Sequence, residues 1–327
     1  VTKIVSQLLT KSGNFMEKIS EKKGNYEVVI IGGGAAGISA ALWCAELGLS
    51  ALLLEKSSEL GGQLLWTFNA IKNHLGIEVE TGRELRDIFL KQIENLNFSS
   101  RFNAGVSEID FDRKQIFLTD KSVFFAKAIV IATGIRRRKL NVKGEEKFKG
   151  RGIIESGKQS AEKITNKEVI IIGGGDAAFE NALILAKNAS KVTLIHRRKT
   201  FRAREEFIEK VKENPKIKVL TETAVRKIIG NKEIEAVEIV DLQTESVHPL
   251  KADTLLIRLG VEPNTEIFRG KLDLDDNGYI LINEKCETKL KGIFAIGDVA
   301  NPLAPTVSSA VGMGATAIKS IYSWLNG

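Results

Sequence analysis

A strand, a glycine-rich turn, a helix and a second strand occur twice along this 327-residue chain. The repeat predicts an α/β protein of two doubly wound, Rossmann-like domains, each in a three-layer ββα arrangement. The first copy runs from residues 26–31 (YEVVII) through Gly32-Gly33-Gly34-Ala35-Ala36-Gly37 and a helical stretch 38–47. Its second strand, Ala51–Leu54, closes at Glu55. The second copy runs from Glu168–Ile172 through Gly173-Gly174-Gly175-Asp176-Ala177-Ala178 and a helical stretch to Lys187. Its second strand, Lys191–Ile195, closes at His196. The interval from Gly32 to Glu55 equals that from Gly173 to His196. One such turn alone is a weak signal, whereas two in the same context with the same spacing are a strong one.

Each residue of the turn has a physical task. Gly32 and Gly173 permit the tight turn, and Gly34 and Gly175 let the backbone approach a pyrophosphate. The third position needs a small residue so that helix and strand pack closely; it holds Gly37 in one copy and Ala178 in the other. The helix starts at Ala35, Ala36 and at Asp176, Ala177 then present free N–H groups and a partial positive charge to phosphate. The residue that closes the second strand selects the nucleotide. Glu55, followed by Lys56, offers a carboxylate to a ribose 2′-OH, which suits FAD or NAD and repels a 2′-phosphate. His196 is followed by Arg197, Arg198 and Arg202, whose guanidinium groups bind phosphate oxygens in pairs, which suits NADPH.

Other segments fill in the two domains. Residues 82–96 read as an amphipathic helix, with Leu85, Ile88, Phe89 and Ile93 at helical spacing. Short strands at 106–109, 115–118 and 123–126 lead into 128–132, and a similar series at 224–229, 234–241 and 247–250 leads into 254–259. In residues 1–25, Val1, Ile4, Val5, Leu8 and Leu9 fit one apolar helix face or a frayed tail.

Composition narrows the function classes. The 43% hydrophobic and 27% charged content is that of a globular protein, and no apolar run reaches membrane-helix length. Residues 1–9 lack a signal-peptide pattern, so the cytoplasm is the expected location. Cys44 and Cys286 are far apart, as are His74, His196 and His248, which argues against a metal centre and a disulfide framework. The net charge of +7 concentrates in residues 136–151, from Arg136-Arg137-Arg138-Lys139 to Arg151. Phe148 is the sole aromatic there, so the stretch lacks a stacking platform for nucleic acid. It reads either as a solvated loop or as a docking patch for an acidic partner.

With these motifs in hand, the chain from about residue 26 to its C-terminus resembles the low-molecular-weight thioredoxin reductases. The shared segments are GGGAAG (32–37), GGQL (61–64), IATG (131–134), IGGGDAA (172–178), HRRKTFR (196–202) and IFAIGDV (293–299). The resemblance implies an FAD domain in two segments, 26–136 and 251–327, with an NADPH domain, 137–250, inserted between them. Hinges then fall near residues 135–139 and 249–253. It adds Gly62, Gln63, Leu64, Asn73, Ala132, Thr133, Gly134, Gly297 and Asp298 to the FAD contacts, with Asp298 on the ribityl chain. It also implies a homodimer.

Two departures alter the function implied. The family carries a Cys-x-x-Cys dithiol after Gly-Arg-Gly. Here Gly150-Arg151-Gly152 is followed by Ser156-Gly157-Lys158-Gln159, so Ser156 and Gln159 stand at the cysteine positions. Neither exchanges with a disulfide, because exchange needs a thiolate. The family's Arg-Gln pair before the last helix is replaced by Pro305-Thr306, ahead of Val307, while the spacing from Asp298 to Gly312 and Gly314 is kept. The half-reaction that survives is hydride transfer from NADPH to FAD, with electrons leaving to an external acceptor. The dithiol-lacking relatives include ferredoxin–NADP reductases, so a ferredoxin or flavodoxin, steered by positive charge, is the expected partner. A diaphorase acting on quinones and a non-catalytic FAD- and NADPH-binding sensor stay open as alternatives. Residues 152–158 imitate a P-loop but lack its Ser/Thr.

Overall fold

The computed structural model describes residues 24–327, and the apolar face expected within residues 1–9 lies outside them. The chain divides into two compact units: residues up to Ile135 together with Pro263–Gly327, and Arg136–Glu262.

The first unit begins with β1 (Asn25–Ile31), α1 (Ala35–Glu46) and β2 (Ala51–Leu54). There follow α2 (Gly82–Ile93), β3 (Ser99–Arg101), β4 (Val106–Asp110), β5 (Gln115–Leu118) and β6 (Val123–Ile131), after which β7 (Ile135–Arg137) carries the chain into the second unit. β6 is one strand where the sequence suggests two. Lys127 in its middle faces solvent and pairs with Glu27 at 3.1 Å, so a charge there does not interrupt the ladder.

The second unit contains α3 (Glu145–Phe148), β8 (Ile153–Ile154), α4 (Gly157–Ser160), β9 (Glu168–Ile172), α5 (Asp176–Leu185) and β10 (Lys191–Ile195). α6 (Glu205–Glu213) and β11 (Ile217–Leu220) follow, then β12 (Thr223–Ile229), β13 (Ala236–Asp241) and β14 (Val247–Lys251). β15 (Thr254–Ile257) and β16 (Val261–Pro263) end it, and β17 (Ile293–Ala295) and α7 (Val307–Asn326) complete the first unit.

Both units stack in layers. In the first, the sheet runs β3-β2-β1-β6-β5-β4, with β17 parallel to β6. Alternation along β1 sends Val28 and Ile30 toward α1, α2 and α7, and Val29 and Ile31 toward Ile109, Ile116 and Phe268. In the second, the parallel order is β11-β10-β9-β15-β8, with β12-β13-β14 as a separate antiparallel layer. Val169 and Ile171 pack on the α5 and α6 side, Ile170 and Ile172 on Val225, Ile228 and Val237. Each such side chain, fully withdrawn from water, contributes about 1.5–3 kcal/mol.

The boundaries follow from pairing. Residues 254–257 are bonded in register to β9, Thr254 opposite Val169 through Ile257 opposite Ile172. They therefore belong to the second unit, and the chain leaves it after Glu262 rather than at the expected 250/251. The two passages, β7 and β16, pair with each other as a two-stranded ribbon. Among the described residues no helix is long and apolar enough to cross a membrane.

Candidate functional site

The two glycine turns sit at the carboxyl ends of β1 and β9, where open parallel sheets hold their ligands. Their backbones bond alike. Gly32 N–H donates to Leu54 O at 2.8 Å, and Gly173 N–H to Ile195 O at 3.0 Å. The second glycine's carbonyl accepts from the loop after the second strand: Gly33 O from Gly61 N at 2.8 Å, Gly174 O from Arg202 N at 2.7 Å. Gly32 and Gly173 have φ of +110° and +157°, a region open to glycine. A Cβ on Gly37 would lie 1.9 Å from Gly32 O, which only hydrogen tolerates. Ala178 fits fully buried, 3.0 Å from where a Cβ on Gly173 would stand.

Neither helix start carries a side-chain cap, at Gly34 or at Gly175. A Cβ on Gly175 would meet nothing within 4 Å, and one on Gly34 would meet only Gly62 Cα at 3.9 Å. Uncapped N–H groups facing open space are the donor set a pyrophosphate requires. The residues present fit a dinucleotide in both units.

In the first unit the other predicted residues gather at the same edge. Glu55, 6% exposed, accepts through Oε2 from Gly33 N–H at 2.7 Å and through Oε1 from Ser57 N–H at 2.8 Å. Lys56 is exposed beside it. Gly62, Gln63 and Leu64 form a short 3-10 turn against Gly34, and Gln63 Nε2 donates to Ile135 O at 2.8 Å. Thr133 and Asn264 exchange hydrogen bonds, Oγ1 to O at 2.9 Å and Nδ2 to O at 2.7 Å. These bonds fix the loop of Ala132, Thr133 and Gly134. Gly297 lies under α1, where a Cβ would approach Ala36 Cβ to 2.8 Å, and this places Asp298 by the helix start. No hydrogen bond from a described residue reaches the Asp298 carboxylate, and burial raises its pKa above the ordinary value. A half-buried acceptor of this kind fits sugar or ribityl hydroxyls. Thr306 caps α7 by accepting from Ser309 N–H at 3.2 Å, with Pro305 and Val307 on either side. Ser308 Oγ donates to Asn73 O at 3.4 Å. Gly314 serves packing rather than a ligand: a Cβ there would stand 2.7 Å from Ser39 Oγ and 2.9 Å from Ala36 O.

In the second unit His196 packs over Gly174, where a Cβ would touch its ring at 2.3 Å. Nε2 lies 3.0 Å from Thr200 O, so it carries the proton and donates. Burial lowers the His196 pKa, with Arg198, Arg197 and Arg202 pushing the same way, so the ring is neutral at pH 7. Arg197, Arg198 and Arg202 are exposed around it. Asp176, at the first turn of α5, is engaged by Arg204, whose N–H and Nε donate to its carboxylate at 2.7 and 3.0 Å.

The dithiol position is structural. Ser156, 8% exposed, caps α4 by accepting from Gln159 N–H at 3.4 Å, and the Gln159 side chain faces solvent. Gly157 N–H donates to Asn181 Oδ1 at 3.0 Å, which seats the segment on α5. Both cysteines are buried in the first unit; burial pushes Cys44 well above a thiol's ordinary value and Cys286 up to about 11.

The basic stretch is less free than its sequence suggests. Arg136 pairs with Glu262 at 2.7 Å, Arg137 with Glu155 at 2.9 Å and Lys139 with Glu146 at 2.6 Å. Sequence reading missed Arg258, which follows β15 at the second crevice and belongs to no motif.

A family profile described as pyridine nucleotide-disulphide oxidoreductase matches residues 26–314. A thioredoxin reductase of Mycolicibacterium smegmatis is 33% identical over 308 residues, covering 92% of this chain and 96% of that protein. A 34.2 kDa protein in a rubredoxin operon of Clostridium pasteurianum is 30% identical over 302 residues, covering 92% and 97%. The crystal structure of Lactococcus lactis thioredoxin reductase in its FR conformation matches with a TM-score of 0.77 at 33% identity, covering 92% and 99%. That of T. acidophilum thioredoxin reductase matches at 0.76 and 28%, covering 93% and 100%.

Proposed function

The chain belongs to the pyridine nucleotide-disulphide oxidoreductase family, and from that premise we propose that it is an NADPH oxidoreductase that delivers electrons to an external acceptor without a thiol relay. FAD and NADPH are its cofactors. When bound, they supply hydride transfer from the nicotinamide to the flavin and onward release of the electrons.

The chain's own residues do the holding. The N–H groups at Gly34–Gly37 and at Gly175–Ala178 take the two pyrophosphates. Glu55 keeps lone pairs for ribose hydroxyls beyond those given to Gly33 and Ser57, and Asp298 accepts from the ribityl chain. Arg197, Arg198 and Arg202 take the 2′-phosphate. The NADPH domain is residues 136–262, inserted in the FAD domain.

The observation that carries the reading is the pair Ser156 and Gln159. A hydroxyl that caps α4 and an exposed amide stand where a dithiol would take electrons, and the two cysteines are buried in the other unit. A small electron-transfer protein of the ferredoxin, flavodoxin or rubredoxin kind is the acceptor class this reading favours, supported by the relative from a rubredoxin operon. The excess positive charge favours an acidic partner.

The test is a panel of acceptors under NADPH, with thioredoxin disulfide included. Ferredoxin, flavodoxin or rubredoxin should turn over, at a rate that falls as salt rises, and iodoacetamide should leave that rate unchanged. Efficient reduction of thioredoxin disulfide by the unaltered chain would contradict the reading.

A further inference from the structure

The Arg258 guanidinium in the second unit lies outside every nucleotide signature. Arg258 N–H donates to Ile172 O at 2.7 Å, and a Cβ on Gly173 would stand 2.3 Å from Arg258 O. The first unit repeats this arrangement with Ala132, whose N–H donates to Ile31 O at 2.8 Å and whose O stands 2.3 Å from a Cβ on Gly32. Arg258 thus replaces a small neutral residue at the crevice between β9 and β15. That is the point in the sheet where the strand order reverses and ligands bind.

Its charge is held there and left unbalanced. Nη1 donates to Ile257 O at 2.9 Å and Nη2 to Glu155 O at 2.7 Å, both neutral carbonyls. Arg137 Nη1 reaches the same Glu155 O at 2.6 Å and takes the Glu155 carboxylate at 2.9 Å. Two cations share one anion. Burial, and then repulsion by Arg137, lowers the Arg258 pKa to about 10, so the group stays charged at neutral pH.

The direction of the coenzyme follows from the sheet. Arg197, Arg198 and Arg202 lie past β10, on the opposite side of β9 from β15. A dinucleotide with its 2′-phosphate there and its pyrophosphate at the glycine turn extends its nicotinamide half toward β15. We propose that Arg258 is a specificity-determining residue for the redox state of the coenzyme, a fixed positive charge that disfavours the cationic ring of NADP⁺ relative to the neutral ring of NADPH. The inference rests on the assignment of NADPH to this unit. Its consequence is faster loss of the spent coenzyme and a bias toward NADPH oxidation. A unit charge acting across a half-exposed crevice gives roughly a three- to tenfold preference.

The test is equilibrium binding to the FAD-loaded protein by calorimetry, with NADP⁺, 2′,5′-ADP and 1,4,5,6-tetrahydro-NADP. The last has a neutral ring and no hydride to give. Arg258→Met should tighten NADP⁺ about three- to tenfold relative to the tetrahydro compound, Arg258→Lys should keep the wild-type ratio, and 2′,5′-ADP should bind all three alike. A purely structural role, pinning α4 through Glu155, would move both coenzymes together. An unchanged ratio in Arg258→Met, with 2′,5′-ADP still bound, overturns the proposal alone. Wild-type protein that ignores 2′,5′-ADP overturns the NADPH assignment beneath it. Should Arg258→Met not fold, Arg137→Met frees the Glu155 carboxylate and should shift the ratio the same way by less; no shift there also overturns the proposal.

Discussion

The two glycine turns share one backbone and differ in what closes them. Strand ends, first glycines and loop returns make the same hydrogen bonds in both units, down to the carbonyl of the second glycine. The closing side chains diverge. Glu55 is buried and accepts from the Gly33 N–H of the glycine turn and the Ser57 N–H of the loop after β2, so it ties the two together and holds the turn shut. His196 is half-buried, neutral and bonded to a neighbouring carbonyl, while the arginines after it stand in water. On the proposed assignment, the repeat sets where a dinucleotide lies, and a few residues at one strand end set which one. In the first unit that choice is tied to the stability of the turn; in the second it is nearly free of it.

The largest effect expected is at the first turn. Gly34→Val fills the open face of the cradle, where a Cβ would meet only Gly62 Cα at 3.9 Å, so the chain should fold normally by circular dichroism yet purify without flavin. A fully yellow variant would break the assignment of FAD to this unit. Glu55→Ala should come next, because it strands the buried Gly33 N–H, which was bonded to a charge, and frees the more exposed Ser57 N–H; about 2 kcal/mol of stability should be lost in urea unfolding. His196→Ala should cost much less, and equal losses would erase the contrast between the turns.

Arg197→Ala combined with Arg198→Ala should weaken NADPH roughly ten- to a hundredfold in titration calorimetry and leave NADH almost untouched. Equal weakening of both coenzymes would remove the 2′-phosphate role. The smallest effect concerns pH. His196 has a lowered pKa in the folded chain, so the unfolded chain binds more protons once pH falls below the ordinary value near 6.5. Stability should be flat above that value and decline as pH drops through the folded one, and His196→Gln should flatten the decline. An identical slope in the variant would mean that another group titrates.

Much of this was legible in the residues. The apolar, β-branched runs at Ala51–Leu54, Glu168–Ile172 and Lys191–Ile195 are the observed strands to the residue, because strands buried on both faces leave little room for polar breaks. The second domain boundary was not, although the echo between 128–132 and 254–259 pointed to it. Arg258 repeats the bond that Ala132 makes, which places both runs beside their own glycine turns. What stayed hidden is what long-range pairing decides. Glu262 and Glu155 neutralise part of the 136–139 charge from far along the chain, and no local pattern announces them. Arg258 follows an ordinary apolar strand, and its meaning appears only when Gly173 and Glu155 are brought beside it.

Counting electrons tests the thiol-free scheme most directly. In an anaerobic titration of the purified flavoprotein, about one equivalent of NADPH per FAD should bleach the flavin completely, since Ser156 and Gln159 add no further electron store. Uptake of about two equivalents, as a flavin with a reducible disulfide would show, or no bleaching at all, would contradict it.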